Sequence, residues 1–247
     1  MTLPILIFIV LHWYLSAFCQ TFFLHRYASH RMFALTPAWE RFFHVATFLT
    51  QGASYLNPRA YALLHRLHHA YSDTERDPHS PYHTRTPLGM MWRTFEQYYG
   101  IYTGRIQPDP RIDRGSPEWP AFERWAEPVW TRLIFVAAYA VYYARFAESA
   151  WVWVFLPLHV LMGPVHGAIV NWCGHAYGYA NFDNKDRSKN TLSMDLLTMG
   201  ELMQNNHHRD EKRLNFAYRW FEIDPTYPLI LALERAGIVR RVTERGR

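Results

Sequence analysis

Five residues, His65-Arg66-Leu67-His68-His69, set three imidazoles at i, i+3 and i+4. On a helix these positions share one face, so their ring nitrogens can converge on a point just off the helix surface. A metal ion is the simplest occupant of such a point. Three further clusters accompany the triplet: His25 and His30 in His25-Arg26-Tyr27-Ala28-Ser29-His30-Arg31, His175, and the pair His207-His208. Eight imidazoles exceed the needs of one metal and suit two. Structural zinc usually takes four ligands and commonly uses Cys, whereas imidazole-rich sets also suit iron and copper. A neutral ligand set leaves a dication's charge largely uncompensated, which favours a redox metal.

The clusters are spread from residue 25 to residue 208, so the rest of the chain must bring them together. Leu3–Leu24 contains no Asp, Glu, Lys or Arg and has the length of a transmembrane helix, running straight into His25. No basic stretch precedes Leu3 and no small-residue cleavage pattern follows, so the segment reads as an anchor and not a signal peptide. Residues 42–58 are also uncharged. If His30 and His65 serve one centre they lie on one side of the membrane, and two crossings need roughly 40 residues, more than intervene. Residues 42–58 are therefore expected to be interfacial or re-entrant, with Arg41 and Arg59 at head-group level.

Beyond His69, Asp73, Glu75 and Asp77 could hold ring N–H groups of the ligands, although each reads equally well as part of a solvated loop. Residues 84–125, with Pro108, Pro110 and Pro117, form a polar connector with a short amphipathic helix near Met90–Tyr99. Val129–Phe146 and Ala150–Trp172 then suggest a hairpin of spanning helices, the first interrupted by Arg132, with Asn171 and His175 at the return. His159 and His166 within the second helix are read as helix–helix hydrogen-bonding residues. Gly200 to His208 supplies the last cluster. Asp224-Pro225 opens an amphipathic helix over Leu229–Val239, followed by a basic tail of Arg240, Arg241, Arg245 and Arg247.

The expected fold class is all-α: one integral membrane helical bundle over residues 1–247. It has about three spanning helices (3–24, 129–146 and 150–172) and an interfacial segment at 42–58. Regions 25–125 and 173–247 form a cytoplasmic-face helical cap around a His-rich dimetal site. The net charge of +5 comes from Lys and Arg scattered singly, which suits an anionic membrane surface better than nucleic acid. Most of these cations fall on the His side of the map, so the positive-inside rule places the metal face in the cytoplasm. Cys19 and Cys173 lie in apolar segments without metal-ligand or redox spacing, and no disulfide framework is implied.

Four boxes carry a resemblance: His25 to Arg31, His65 to His69, Asn171-Trp172-Cys173-Gly174-His175, and Gly200-Glu201 through Asn206-His207-His208. In order and separation, over about residues 15 to 225, they are similar to those of membrane-bound fatty acyl desaturases of the stearoyl-CoA type, in a short bacterial-like form. The resemblance implies an oxidoreductase of a bacterial inner membrane with two Fe ions (Zn could substitute) and O2 as co-substrate. It would act on an acyl-CoA or acyl-lipid and take two electrons from a separate haem or iron–sulfur protein. It assigns His25, His65 and His207 to one iron, and His30, His68, His69, His175 and His208 to the other. Asn171 would reach the first iron through water, with Asp77 and Glu201 supporting the ligands. Gln204 stands where the family has the first His of a His-x-x-His-His box, so the first iron is expected to be loosely held.

Leu3–Leu24 matches the family's second spanning helix, which implies that the first is lacking, and no fused haem-binding segment is expected. Trp13, Tyr55, Trp92 and Trp172 could line an acyl tunnel or serve as core. Two other readings stay open: a lipid hydroxylase on a similar scaffold, and a non-catalytic membrane metal-binding or transport protein.

Overall fold

A computed structural model describes residues 3–242, so Arg245 and Arg247 of the basic tail lie outside the described residues. The apolar N-terminal stretch forms α1 (Leu3–Cys19), which continues directly into a π-helix over Gln20–Ser29. Three helices then start on a cap residue followed by proline: α2 (Pro37–Gln51), α3 (Pro58–Tyr71) and α4 (Pro87–Tyr102). The side chains of Thr36, Asn57 and Thr86 accept from the backbone N–H groups of Trp39, Ala60 and Gly89, and each proline fills a position with no helical N–H partner to lose. The remaining helices are α5 (Pro120–Ala126), α6 (Val129–Phe146), α7 (Leu156–Val160), α8 (Met162–Ala168), α9 (Gly174–Ala176), α10 (Gln204–Arg209) and α11 (Thr226–Arg235). A second π-helical stretch, Ile169–Cys173, lies between α8 and α9.

The chain is mostly helical, but the all-α expectation needs one correction. A two-stranded antiparallel sheet pairs β1 (Phe33–Leu35) with β2 (Val239–Arg241) in the register Leu35↔Val239. The helix expected over Leu229–Val239 ends at Arg235, because Gly237 takes a left-handed backbone (φ +73°) that stops it. Val239 is then buried against the rest of the chain.

Of the three spans expected, one or two meet the length and apolarity of a membrane crossing. Among the described residues one helix, Leu3–Ser29, is long and apolar enough to cross a membrane. Ala150–Val160 and Met162–Ala176 make a second only as a pair bent by 76°. The bend falls at Leu161, where Pro164 lacks the N–H that would bond the Val160 carbonyl. Helix α6 covers the expected 129–146 but falls short of that apolar test, and Arg132 donates to the carbonyls of Ala53 and Tyr55. Within 42–58 the chain is helical to Gln51 and then turns at Gly52 (φ +53°), where a Cβ would collide with the Tyr139 hydroxyl. Only glycine lets α6 pass so close to that turn.

Below the first π-helix, Phe22, Phe23, Phe33, Phe43, Phe216 and Ile230 form the main apolar cluster. Arg26 is wholly buried there. Its guanidinium donates to both Asp224 oxygens at 3.0 and 2.9 Å and to the Leu214 carbonyl at 2.8 Å, over the Phe216 ring. Removing one partner from a buried pair of this kind costs about 3–5 kcal/mol. The pair fastens the C-terminal segments to the element that carries His25 and His30.

Candidate metal centre

All eight imidazoles anticipated as ligands meet, in two adjoining groups. In the first, one nitrogen from each of His25, His30, His65, His69 and His207 lies within 4.8 Å of the others. The facing atoms are Nε2: His25 to His207 at 3.0 Å, His30 to His65 at 2.8 Å, and His69 to both His65 and His207 at 3.0 Å. The second group is His68, His175 and His208, with 3.3 Å between Nε2 of His68 and His208.

Local geometry explains the gathering. The i→i+5 hydrogen bonds of the π-helix, such as His30 N–H to the His25 carbonyl at 3.2 Å, let residues five apart face the same way. In α3, successive residues are offset by about 100°, so residues four apart differ by only about 40°. His65 and His69 therefore share one group, while His68 turns to the other. The grouping differs from the one the resemblance implied, in which His30 and His69 joined His68. The helical offset was available in the sequence and already paired His69 with His65.

Carboxylates hold the outer nitrogens. Asp77 accepts from Nδ1 of His68 at 2.9 Å, and Glu201 lies 2.6 Å from Nδ1 of His25. Asp73 faces Nδ1 of His175 at 2.9 Å and Asp186 faces Nδ1 of His208 at 2.6 Å. Glu211, on the exposed side, lies 3.3 Å from His30 and 3.9 Å from His69. Asp186 and Glu211 were missed in the sequence; neither has fixed spacing to a His, and only the folded chain brings them in. Glu75 is not part of the ring, and its backbone carbonyl accepts from Arg93 instead. Thr21 donates to Glu201 and fixes that carboxylate in turn.

The electrostatics follow from burial. Burial holds the imidazoles of His65, His68, His69 and His207 well below their usual pKa, and brings His30 to about 4. Burial pushes the Asp73 carboxyl up, but hydrogen bonds from His175, the Arg187 N–H and Ser80 outweigh it and hold the group at about 2. Glu201 is lowered in the same manner, with His25, Arg26 and Thr21 outweighing its burial. At neutral pH His30, His65, His68, His69 and His207 are therefore neutral, and Asp73 and Glu201 are ionised. Where Nδ1–H points at a carboxylate, as in His68, His175 and His208, Nε2 presents a lone pair inward, and converging lone pairs repel unless a cation lies between them. The donor set thus fits metal ions in both groups. It also leaves Nε2 of His175 without a partner among the described residues.

A cavity of about 440 Å³ runs beside the centre, with His65 in its wall. Leu56, Leu64, Met91 and Phe95 make much of its lining, and Trp92, 64% exposed, stands at its edge. Of the four aromatics considered for a tunnel, Trp92 alone lines it. Tyr55 is core, and Trp13 donates to the Leu197 carbonyl.

Asn171 and Gln204 also line the cavity. The Gln204 amide donates to the Glu201 carbonyl at 2.8 Å, and its Cγ lies where a Cβ on Gly174 would be, 2.5 Å away. Gln204 therefore packs against Gly174, the residue before His175, while its amide bonds the backbone of Glu201, the partner of His25.

The imidazoles of the apolar helices are organised differently. His12 and His159 meet through Nδ1 at 2.6 Å, and His159 Nε2 pairs with the Tyr143 hydroxyl at 2.9 Å, joining α1, α6 and α7 with no carboxylate partner among the described residues. The other expected helix-bonding residue, His166, has no ring-nitrogen partner among the described residues and packs edge-on against Trp13.

Comparison with known proteins gives one family. The family described as fatty acid desaturase matches residues 2–242. The chain is 30% identical over 231 residues to the Delta-9 desaturase-like 4 protein of Arabidopsis thaliana, covering 92% of this chain and 73% of that one. It is 28% identical over 243 residues to the sn-1 stearoyl-lipid 9-desaturase of Anabaena variabilis, covering 95% and 82%. A hex-5-enoyl-[acyl-carrier protein] acetylenase of Moorena producens is 26% identical over 254 residues, covering 92% and 73%.

Proposed function

The chain belongs to the fatty acid desaturase family, and on that premise we propose that it inserts a cis double bond into a saturated acyl chain. The observation that carries this reading is a pair of adjoining imidazole groups, one of which puts His65 in the wall of a mainly apolar cavity. Two irons held there would couple O2, two external electrons and two protons to the removal of two hydrogens from neighbouring methylenes, with two waters as the other product.

The protein's own contribution is placement. Residues His25, His30, His65, His69 and His207 would hold one ion. His68, His175 and His208 would hold the other, with Asn171 and Gln204 at its open side. Asp77, Asp73, Asp186 and Glu201 keep their rings in one tautomer, with Nε2 free to ligate. The apolar wall takes up the acyl chain and excludes water from the methylenes beside His65. Leu3–Ser29 and the bent pair after Ala150 would embed the chain in a membrane, with the imidazole face in the cytoplasm and a separate electron-carrier protein docking there. Acyl-CoA and acyl-lipid are both compatible with this arrangement.

Expression in a host of defined lipid composition, followed by fatty-acid analysis, tests the reading. New monounsaturated chains are the expected outcome. Hydroxylated chains alone would move the assignment to a hydroxylase, and unchanged lipids with iron bound and a working donor would contradict both.

A further inference from the structure

One stretch of the cavity wall is polar without an evident reason. Gln20 belongs to the apolar N-terminal helix, is 7% exposed and lines the cavity, yet its Oε1 has no hydrogen-bond partner among the described residues. A buried acceptor left bare costs much of its desolvation energy, so a position that meets only methylenes disfavours Gln. Beside it stands Tyr61, whose hydroxyl is within hydrogen-bonding reach of the Gln20 side chain. Two neighbouring polar groups from different helices thus face the same apolar space.

Their position ties them to the centre. Gln20 precedes Thr21, which donates to Glu201 beside His25. Tyr61 lies one turn before His65, and the two rings are parallel to within 7°. A chain threaded past His65 therefore brings a few of its carbons against this pair.

An acceptor needs a donor. A charged donor would pay heavily to enter so apolar a cavity, whereas a hydroxyl is neutral, small and can be carried by an acyl chain. We propose that Gln20 and Tyr61 form a polar subsite that receives a hydroxyl substituent on the acyl chain, within a few carbons of the position to be oxidised. The preferred substrate is then a hydroxylated acyl chain. The proposal rests on the acyl reading of the cavity above.

The test is equilibrium binding of stearate and its chain-hydroxylated positional isomers to the purified, metal-loaded full chain in detergent, read by calorimetry. At least one isomer should bind about tenfold more tightly than stearate, the worth of one hydrogen bond made instead of an acceptor left bare. In Gln20→Leu that preference should vanish as stearate tightens and the isomer weakens. Tyr61→Phe, which keeps the ring beside His65, should narrow it. If Gln20→Leu does not fold, Gln20→Met, close to it in size and shape, carries the same expectation. Equal binding of all probes by the unaltered protein, or a preference that survives the Gln20 change, would overturn the subsite while leaving the acyl cavity intact. Failure of stearate and every isomer to bind any folded variant would overturn the acyl reading, and the subsite with it.

Discussion

The five-imidazole and three-imidazole groups share helix α3 but are stabilised in different ways. In the larger group, Glu201 holds His25, and a half-exposed Glu211 stands near both His30 and His69 at 3.3 and 3.9 Å. Nδ1 of His207 has no partner among the described residues. In the smaller group every ring has its own carboxylate: Asp77 for His68, Asp73 for His175 and Asp186 for His208, at 2.6–2.9 Å. The larger group depends on the number of its rings, the smaller on how firmly each ring is held. Two neutral amides, Asn171 and Gln204, line the cavity beside the centre.

That difference predicts unequal responses to the same kind of damage. The largest should come from removing a ring. His68→Ala takes one of three imidazoles and should abolish product and release about half of the bound metal, whereas His30→Ala takes one of five and should retain most of it. Metal content by mass spectrometry, with fatty-acid analysis, reads both. Equal losses would mean that the groups are not separate sites.

A smaller effect should follow from loosening a ring. Asp186→Asn replaces the dedicated partner of His208 and should weaken metal affinity roughly 10–100-fold. Glu211→Gln, at a half-exposed carboxylate farther from its rings, should change it by much less. Competition against a chelator of known affinity measures both, and a larger effect at Glu211 would invert the comparison.

The parts of this site that sequence made legible are those encoded by short-range spacing. His65, His68 and His69 declare a shared face, and the boxes around His25, His175 and His207 name the remaining rings. The π-helix was not legible: no residue pattern announces the i→i+5 bonds that bring His30 alongside His25. Asp186 and Glu211 reach the rings only through tertiary contacts. Asp73 was legible equally as a ring partner or as a solvated loop acid, and only the tertiary contact with His175, far along the chain, decides between them. In the fold, the Pro-capped starts of α2, α3 and α4 are local signals, whereas the β1–β2 pairing joins the two ends of the chain and has no local signature. The break at Leu161 had a cue in Pro164, but the long apolar run around it masked the cue.

The central claim is that one chain holds two metal ions in ligand sets of unequal strength. Loading the purified protein anaerobically with ferrous iron and following its removal by a chelator tests this directly. The account predicts two irons per chain, lost in two phases, the faster from the three-imidazole group and slowed in Gln204→His. A single iron per chain, or one phase unaffected by Gln204→His, would contradict it.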